Sequence, residues 1–93
     1  RPGSGQLQTA DRDKVILAAR AIITAGENVR YAVGGHPARD GNATENSRMA
    51  RLRAEVVVKI LVDSGVAAGQ IEVAPFGVAP ETDRDNQVEI VVK

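Results

Sequence analysis

The fold of this chain is decided by residues 35–65, which read GHPARDGNATENSRMARLRAEVVVKILVDSG. Glycines and a proline crowd the beginning of the stretch, as in a turn, and the remainder has helical periodicity. At about 100° per residue, the segment from Thr44 to Ser64 separates apolar from charged side chains, and Gly65 is predicted to end the helix. The predicted core side carries Met49, Leu52, Val56 and Ile60, widened by Val57 and Leu61. The predicted solvent side carries Arg48, Arg51, Glu55 and Lys59.

Two polar residues lie along the edge of that apolar stripe. Arg53 points between the directions of Ile60 and Val57, and Asn46 lies two turns earlier on nearly the same bearing. In one interpretation Arg53 lays its carbon stem along the core and puts its head in solvent or on a structural carboxylate. In another, the glycine-rich loop, the helix N-terminus and the guanidinium converge on one place, which suits a carboxylate ligand. A third possibility is that loop carbonyls occupy both side chains, and the sequence leaves these alternatives open.

The composition indicates a single aliphatic domain. The chain has 93 residues, of which 43% are hydrophobic and 26% charged, enough for one core. Tyr31 and Phe76 are its only aromatic side chains, so stacking platforms for bases or sugar rings are scarce. Twelve basic and twelve acidic residues give a net charge of zero, which argues against nucleic acid as a partner. With no cysteine and one histidine, neither a disulfide framework nor a multi-histidine metal centre is expected.

Helices and strands alternate along the rest of the chain. A helix is predicted from Thr9 to about Ala25, with Gly26 as its left-handed stop. Its predicted buried stripe is Val15, Ala18, Ala19, Ile22 and Ile23. Alternating residues predict strands over 29–34, 71–75 and 88–92. This order predicts an α+β fold, a two-layer sandwich with two helices packed on one face of a small mixed β-sheet; residues 9–93 form the single domain and residues 1–8 a linker or truncated first strand.

The sequence offers no convincing catalytic constellation, so an enzyme is not expected. His36 lies between a glycine and a proline and is interpreted as a turn residue. Ser47 and Ser64 fall on the helix, outside any nucleophile elbow. Four carboxylates could be paired as acid and base, but nothing in the sequence fixes the distance between them, so they do not indicate catalysis. These residues are Asp40, Glu45, Asp83 and Asp85. No cofactor is expected either.

One set of spaced residues is distinctive. It consists of Gly35-His36, Asn46, Met49-Ala50 and Arg53-Ala54, followed by Val57, Leu61, Gly65-Val66, Ile71, Phe76-Gly77 and Val88-Glu89-Ile90. This set resembles the OmpA-like C-terminal domain of outer-membrane proteins, Pal lipoproteins and MotB-type stators, over about residues 29–92. The resemblance implies a domain of the bacterial periplasm or cell envelope that binds peptidoglycan noncovalently. In that family, an Asp and an Arg grip the amino and carboxylate groups of diaminopimelate in the stem peptide.

The same resemblance implies which positions bind the ligand. Arg53 and Asn46 match the family's spacing and are expected to hold a stem-peptide carboxylate, beneath the loop that begins with His36. Ala38 occupies the position of the family's ligand-gripping Asp, so the negative partner for the ligand's ammonium is missing there. Asp40, two residues later, is the candidate substitute if the loop is rearranged.

Two functions follow from this partial match. The first is a noncovalent peptidoglycan-binding, cell-wall anchoring domain that recognises a diaminopimelate stem peptide. The alternative is a degenerate domain that has lost peptidoglycan and binds proteins in a cell-envelope secretion, pilus or motility assembly. Asn86-Gln87 stands where the family commonly has Arg-Arg, and only Gln6 to Gln8 remain for its first strand. An incompletely edged sheet also favours strand addition or a homo-oligomer.

Overall fold

The elements follow the predicted order of helix, strand, helix, strand, strand. The computed structural model describes residues 9–76 and 88–93, with side chains from residue 12 onward. The elements are α1 (Thr9–Ala25), β1 (Tyr31–Gly35), α2 (Ala43–Asp63), a 3-10 turn (Ala68–Gln70), β2 (Ile71–Val73) and β3 (Val88–Val92). Three predictions fall outside the described residues: the linker or strand at 1–8, the pair Asp83 and Asp85, and Asn86-Gln87.

β1 is the central strand of a mixed sheet with the order β2-β1-β3. β2 runs parallel to β1, with Tyr31 opposite Ile71, and β3 runs antiparallel, with Tyr31 opposite Val92. The stretch β1–α2–β2 is the helical crossover that parallel neighbours require. α2 contacts β1, β2 and β3, and α1 packs against α2. The predicted α+β sandwich of two helices and a small mixed sheet is confirmed.

The core lies between α2 and the sheet and continues under α1. Val33 and Leu61 are its largest fully buried side chains. The buried cluster contains Ala19, Ile22, Tyr31, Val33, Ala54, Val57, Leu61, Val66 and Ile71. Apart from Tyr31 it is aliphatic, as the composition predicts. Burying each larger side chain contributes about 1.5–3 kcal/mol, so these few positions supply much of the stability.

The buried side of α2 differs from the predicted one. Leu52 and Val56 are only half-buried, whereas Ala50, Arg53 and Ala54 are buried. The prediction was centred on bulky side chains, but the helix approaches the sheet so closely that alanines face the contact. The predicted core residues that are buried are Met49, Val57, Ile60 and Leu61.

α1 also buries a narrower stripe than predicted. Ala19 and Ile22 are buried, but Ile23, assigned to the same stripe, is 48% exposed. α1 rests mainly on α2, so only the residues that face this one neighbour lose solvent. Gly26 and Gly65 follow the two helices with φ of 99° and 111°, the left-handed stops that were predicted. Neither α1 nor α2, as far as the structure describes the chain, is long and apolar enough to cross a membrane.

Candidate functional site

Two adjacent glycines bring three parts of the molecule together at the end of β1. A Cβ on Gly35 would collide with the backbone of Ala50, lying 2.9 Å from its carbonyl carbon. A Cβ on Gly34 would lie 2.5 Å from the Ala74 carbonyl oxygen and 2.7 Å from the Phe76 ring. All three distances are shorter than real Cβ contacts, so only glycine permits this approach. The glycine pair therefore fixes α2 on one face of β1 and the segment after β2 against the strand.

The loop between β1 and α2 is tied to the first turn of the helix. Asn42 caps α2, with its side-chain oxygen accepting the backbone N–H of Glu45 at 3.0 Å. Such a cap stabilises a helix by about 1 kcal/mol. Gly41, just before it, has a φ of 90°, which favours glycine. The helix thus begins one residue earlier than predicted, at Ala43, because an asparagine cap satisfies its first turn.

Asn46 holds this loop through its amide group. Its Nδ2 donates to the carbonyl oxygen of Ala38 at 3.1 Å and to that of Asp40 at 2.6 Å. Both amide hydrogens are therefore engaged by backbone, the arrangement in which loop carbonyls occupy the side chain. Any ligand contact of Asn46 would use its Oδ1 atom. The direct role of Asn46 in this structure is to position the loop.

Arg53 is buried within the helix–sheet contact. It is 8% exposed, which contradicts a head in solvent, whereas a contact with a structural carboxylate stays a prediction. Arg53 is not without a partner within the protein. Among the described residues, every buried side-chain nitrogen and oxygen has a hydrogen-bond partner. Arg53 is thus a desolvated cation, held in place on the helix face that also carries Asn46.

His36 is engaged across the sheet rather than in the loop. Its Nε2 lies 2.6 Å from Oε1 of Glu89 on β3, and its ring centroid lies 5.6 Å from that of Phe76. The histidine side chain is 13% exposed and the glutamate side chain 36%. These contacts link His36, next to the end of β1, to β3. Its place in the ligand site stays a prediction. Sequence reasoning missed the partner because it lies 53 residues away.

The two remaining candidates, Ala38 and Asp40, lie in the loop itself. Ala38 is half-buried and contributes its carbonyl oxygen to Asn46. Asp40 is exposed, and its carboxylate makes no hydrogen bond or ion pair with any described residue. The structure therefore joins Ala38, Asp40 and Asn46 through backbone oxygens. The Asp40 side chain itself is exposed to solvent.

A cleft of about 590 Å³ opens on the other side of the α2 N-terminal half. Gly35 and Pro37 line its base, and residues 73–76 form one wall. The opposite wall belongs to α2, including Ser47, Arg48 and Arg51. Sequence analysis assigned the two arginines to the solvent side of α2. The cleft lies between this side of the helix and residues 73–76, which follow or end β2. Since this cleft depends on the tertiary fold, helical periodicity carried no signal for it.

The charge at the cleft is balanced by neighbours on the helix. Arg48 Nη2 donates to Glu45 Oε1 at 2.5 Å, and Arg51 Nε donates to Glu55 Oε2 at 3.2 Å. The hydrogen bond from Arg48 and its positive charge hold the pKa of Glu45 below its usual value. In turn, the hydrogen bond to Glu45 and the negative charge of Glu45 raise the pKa of Arg48. Both pairs are exposed, so water and salt weaken them.

The positive groups of the site suit an anionic ligand. No cluster of three or more His, Asp or Glu side chains within 9–76 and 88–93 has the spacing to hold a metal ion. Arg53 is a buried cation, and α2 begins beside the loop with the partial positive charge of a helix N-terminus. Such an arrangement attracts an anion such as a carboxylate.

Solved structures of bacterial proteins share this fold. The periplasmic domain of Helicobacter pylori MotB has 21% identity and a TM-score of 0.84, over 100% of this chain and 73% of that one. The peptidoglycan-associated lipoprotein from Burkholderia pseudomallei has 18% identity and a TM-score of 0.76, over 97% of this chain and 83% of that one. An outer membrane protein from Borrelia burgdorferi has 22% identity and a TM-score of 0.75, over 97% and 78%. At these identities the likeness is one of fold.

A family model adds evidence at the level of sequence. No curated protein sequence matches the chain. The model of the OmpA family, however, matches residues 1–90. The match begins N-terminal to the resemblance, which covers about residues 29–92, and so includes α1 as well as β1 and α2. The predicted resemblance is confirmed: this chain belongs to the OmpA family.

Proposed function

We propose that this domain anchors its protein to the cell wall by binding peptidoglycan noncovalently. The observation that carries the proposal is Arg53, a buried guanidinium at the position that the family's motif assigns to the ligand's carboxylate. The OmpA family match supports it, as does the likeness to a lipoprotein named for its association with peptidoglycan. The stem peptide, with a diaminopimelate residue, is the ligand that we assign to the site.

The proposed chemistry is recognition of a carboxylate in a partly dry site. A guanidinium donates two parallel hydrogen bonds to a carboxylate, and desolvation strengthens them. The N-terminus of α2 adds partial positive charge. Asn46 supports this site by holding the carbonyls of Ala38 and Asp40, which sets the shape of the loop above it. His36 supports the same loop from β3 through Glu89.

The ammonium side of the ligand is the weak part of the site. Ala38 supplies no charge, and Asp40 is exposed. We assign Asp40 the ammonium contact, which it can make only as the ligand enters from the solvent side of the loop. A solvent-exposed carboxylate contributes less than a desolvated one, so we expect affinity below that of a site with an acid at position 38.

An amide chemical-shift titration with a soluble diaminopimelate-containing muropeptide tests the proposal. We expect saturable shifts confined to residues 35–53. Arg53→Lys keeps the charge but loses the two-pronged geometry, and it should weaken binding by about tenfold, equivalent to one charged hydrogen bond. Arg51→Lys is the matched control on the exposed side of α2 and should bind as the parent does.

Restoring the missing acid gives the complementary test. Ala38→Asp places a carboxylate where the family has one, and we expect muropeptide affinity to rise by at least about tenfold. Asp40→Asn should weaken the parent but have little effect in the Ala38→Asp background. If millimolar muropeptide causes no shifts in the parent, the peptidoglycan proposal is rejected, whether or not Ala38→Asp binds.

A second function is favoured by the same two residues. Because Ala38 is uncharged and Asp40 is exposed, the fold is also compatible with a degenerate domain that binds an envelope protein instead. This candidate predicts that Ala38→Asp binds muropeptide while the parent does not. It would be supported further by partner capture from envelope extracts that survives Arg53→Lys.

A further inference from the structure

We propose that the cleft beside β2 binds an extended, acidic segment of a partner protein, which adds as a strand along the edge of β2 that no described strand covers. The cleft lies between Arg48 and Arg51 on α2 and residues 73–76 on the strand side. Arg53 does not line it. The proposal is therefore independent of peptidoglycan binding, and each can fail without the other.

The first argument is the open edge of β2. Within the described residues, β2 pairs with β1 alone, in the order β2-β1-β3. The Ala74 N–H donates to the Val33 carbonyl at 2.9 Å, so Ala74 faces β1. Backbone groups alternate along a strand, so the N–H and C=O of Val73 project away from β1. A backbone N–H and C=O at a strand edge, bonded to no described residue, are a template for strand addition.

The second argument concerns the side chains above this edge. Val73 is 38% exposed and belongs to the helix-side face of the sheet, as does its register partner Val33. A side chain of an added strand on that face would enter the cleft between Val73 and α2. Its methylene groups would contact the valine and its end would reach the arginines. An acidic side chain of glutamate length fits this path.

The third argument is charge. The side chains of Arg48 and Arg51 are 58% and 75% exposed, and no acidic residue within 12–76 or 88–93 lines the cleft. Their partners, Glu45 and Glu55, form surface ion pairs, which are weak enough for an incoming carboxylate to replace. Both arginines can thus turn toward a bound peptide. The cleft selects for negative charge.

The opposite face of the sheet adds a pattern to this selection. Glu72 lies on that face and pairs with Lys93 at the end of β3. An acidic side chain of an added strand would meet the Glu72 carboxylate there, whereas an apolar one would not. The preferred segment therefore alternates acidic and apolar residues. Pro75 is exposed and has no N–H, so the added strand pairs only up to this residue.

The experiment uses the intact domain and three synthetic peptides. The probe alternates valine and glutamate, a matched peptide alternates valine and lysine, and the third is the glutamate peptide with a methylated backbone. We expect amide shifts at Val73 and Ala74 and at the side-chain N–H groups of Arg48 and Arg51 with the glutamate peptide. The lysine peptide should bind about tenfold more weakly or not at all, and backbone methylation should abolish binding because it removes the pairing N–H groups.

Charge reversal on the protein completes the test. In the double variant Arg48→Glu and Arg51→Glu, the affinity for the glutamate peptide should fall by about tenfold, and the affinity for the lysine peptide should rise. Arg12→Glu with Arg20→Glu, both exposed on α1, is the matched control and should behave as the parent. The proposal is overturned if the glutamate peptide does not bind at millimolar concentration. It is equally overturned if the lysine or methylated peptide binds as tightly, or if the shifts lie away from the cleft.

Discussion

The two sides of α2 use the same residue type in opposite ways. Arg53 is 8% exposed and is part of the helix–sheet contact. Arg48 and Arg51, less than two turns away, have side chains 58% and 75% exposed. The difference depends on which side of α2 faces Gly35, where helix and strand backbones come closest. One side is a rigid frame that holds a desolvated cation, and the other is a surface whose charges are free to exchange partners.

The largest expected effect contrasts an arginine from each side. Arg53→Ala removes a buried group with its polar interactions, and we expect the free energy of unfolding to fall by about 3 kcal/mol. Arg51→Ala breaks an exposed pair and should change it by less than about 0.5 kcal/mol. Urea denaturation of both variants measures the difference. Equal losses would show that the two sides are not distinct.

The next effect concerns the close approach of α2 to β1 at Gly35 and Ala50, on which the buried side of α2 depends. Gly35→Ala forces a methyl group against the Ala50 backbone, so we expect a loss of about 2 kcal/mol. Gly69→Ala is the control, because a Cβ there meets nothing within 4 Å. It should leave the melting temperature nearly unchanged. A Gly35→Ala variant as stable as the parent would show that α2 can move away from β1 at little cost.

A smaller effect is expected where the frame meets the loop. Asn46→Ala deletes the two hydrogen bonds to the loop carbonyls, with a loss of about 1 to 2 kcal/mol. Amide hydrogen exchange over residues 36–42 should rise while that of β1 stays protected. Asn28→Ala, at an exposed turn residue, serves as the control. Unchanged exchange in the loop would contradict the positioning role of Asn46.

The smallest effect belongs to the exposed side and depends on pH. The hydrogen bond from Arg48 lowers the pKa of Glu45 in the folded state. The pair's stabilisation is therefore present above the unfolded-state pKa of Glu45 and is lost as the pH falls through the lower folded-state pKa. Carboxyl NMR titration should place the Glu45 pKa below 4.5, its ordinary value. Arg48→Ala should return the pKa to that value, and Arg51→Ala should not.

The sequence predicted the element order and the glycine stops because these depend on local rules. It misplaced the buried face of α2, since periodicity weighs bulky side chains and gives no signal for a close backbone approach at Ala50. Non-local contacts were beyond it as well. Gln70 is 6% exposed, and its Nε2 donates to the carbonyls of Gly26 and Val29, more than forty residues earlier. The candidate site shows the same contrast between local and non-local information. The spacing of the motif identified Arg53 as a candidate, but its burial depends on the tertiary fold and could not be predicted.

The Asn46 clamp has a consequence for how such a domain can diverge. Its hydrogen bonds end on the carbonyl oxygens of Ala38 and Asp40, which every amino acid possesses. The loop therefore keeps its shape whatever side chains stand at these positions. An acid can be lost or gained there without disturbing the fold, so mutation is free to alter what the loop recognises. For protein engineering, the side chains at positions 38 and 40 can be replaced to change what the loop binds, while Asn46 continues to hold the loop backbone.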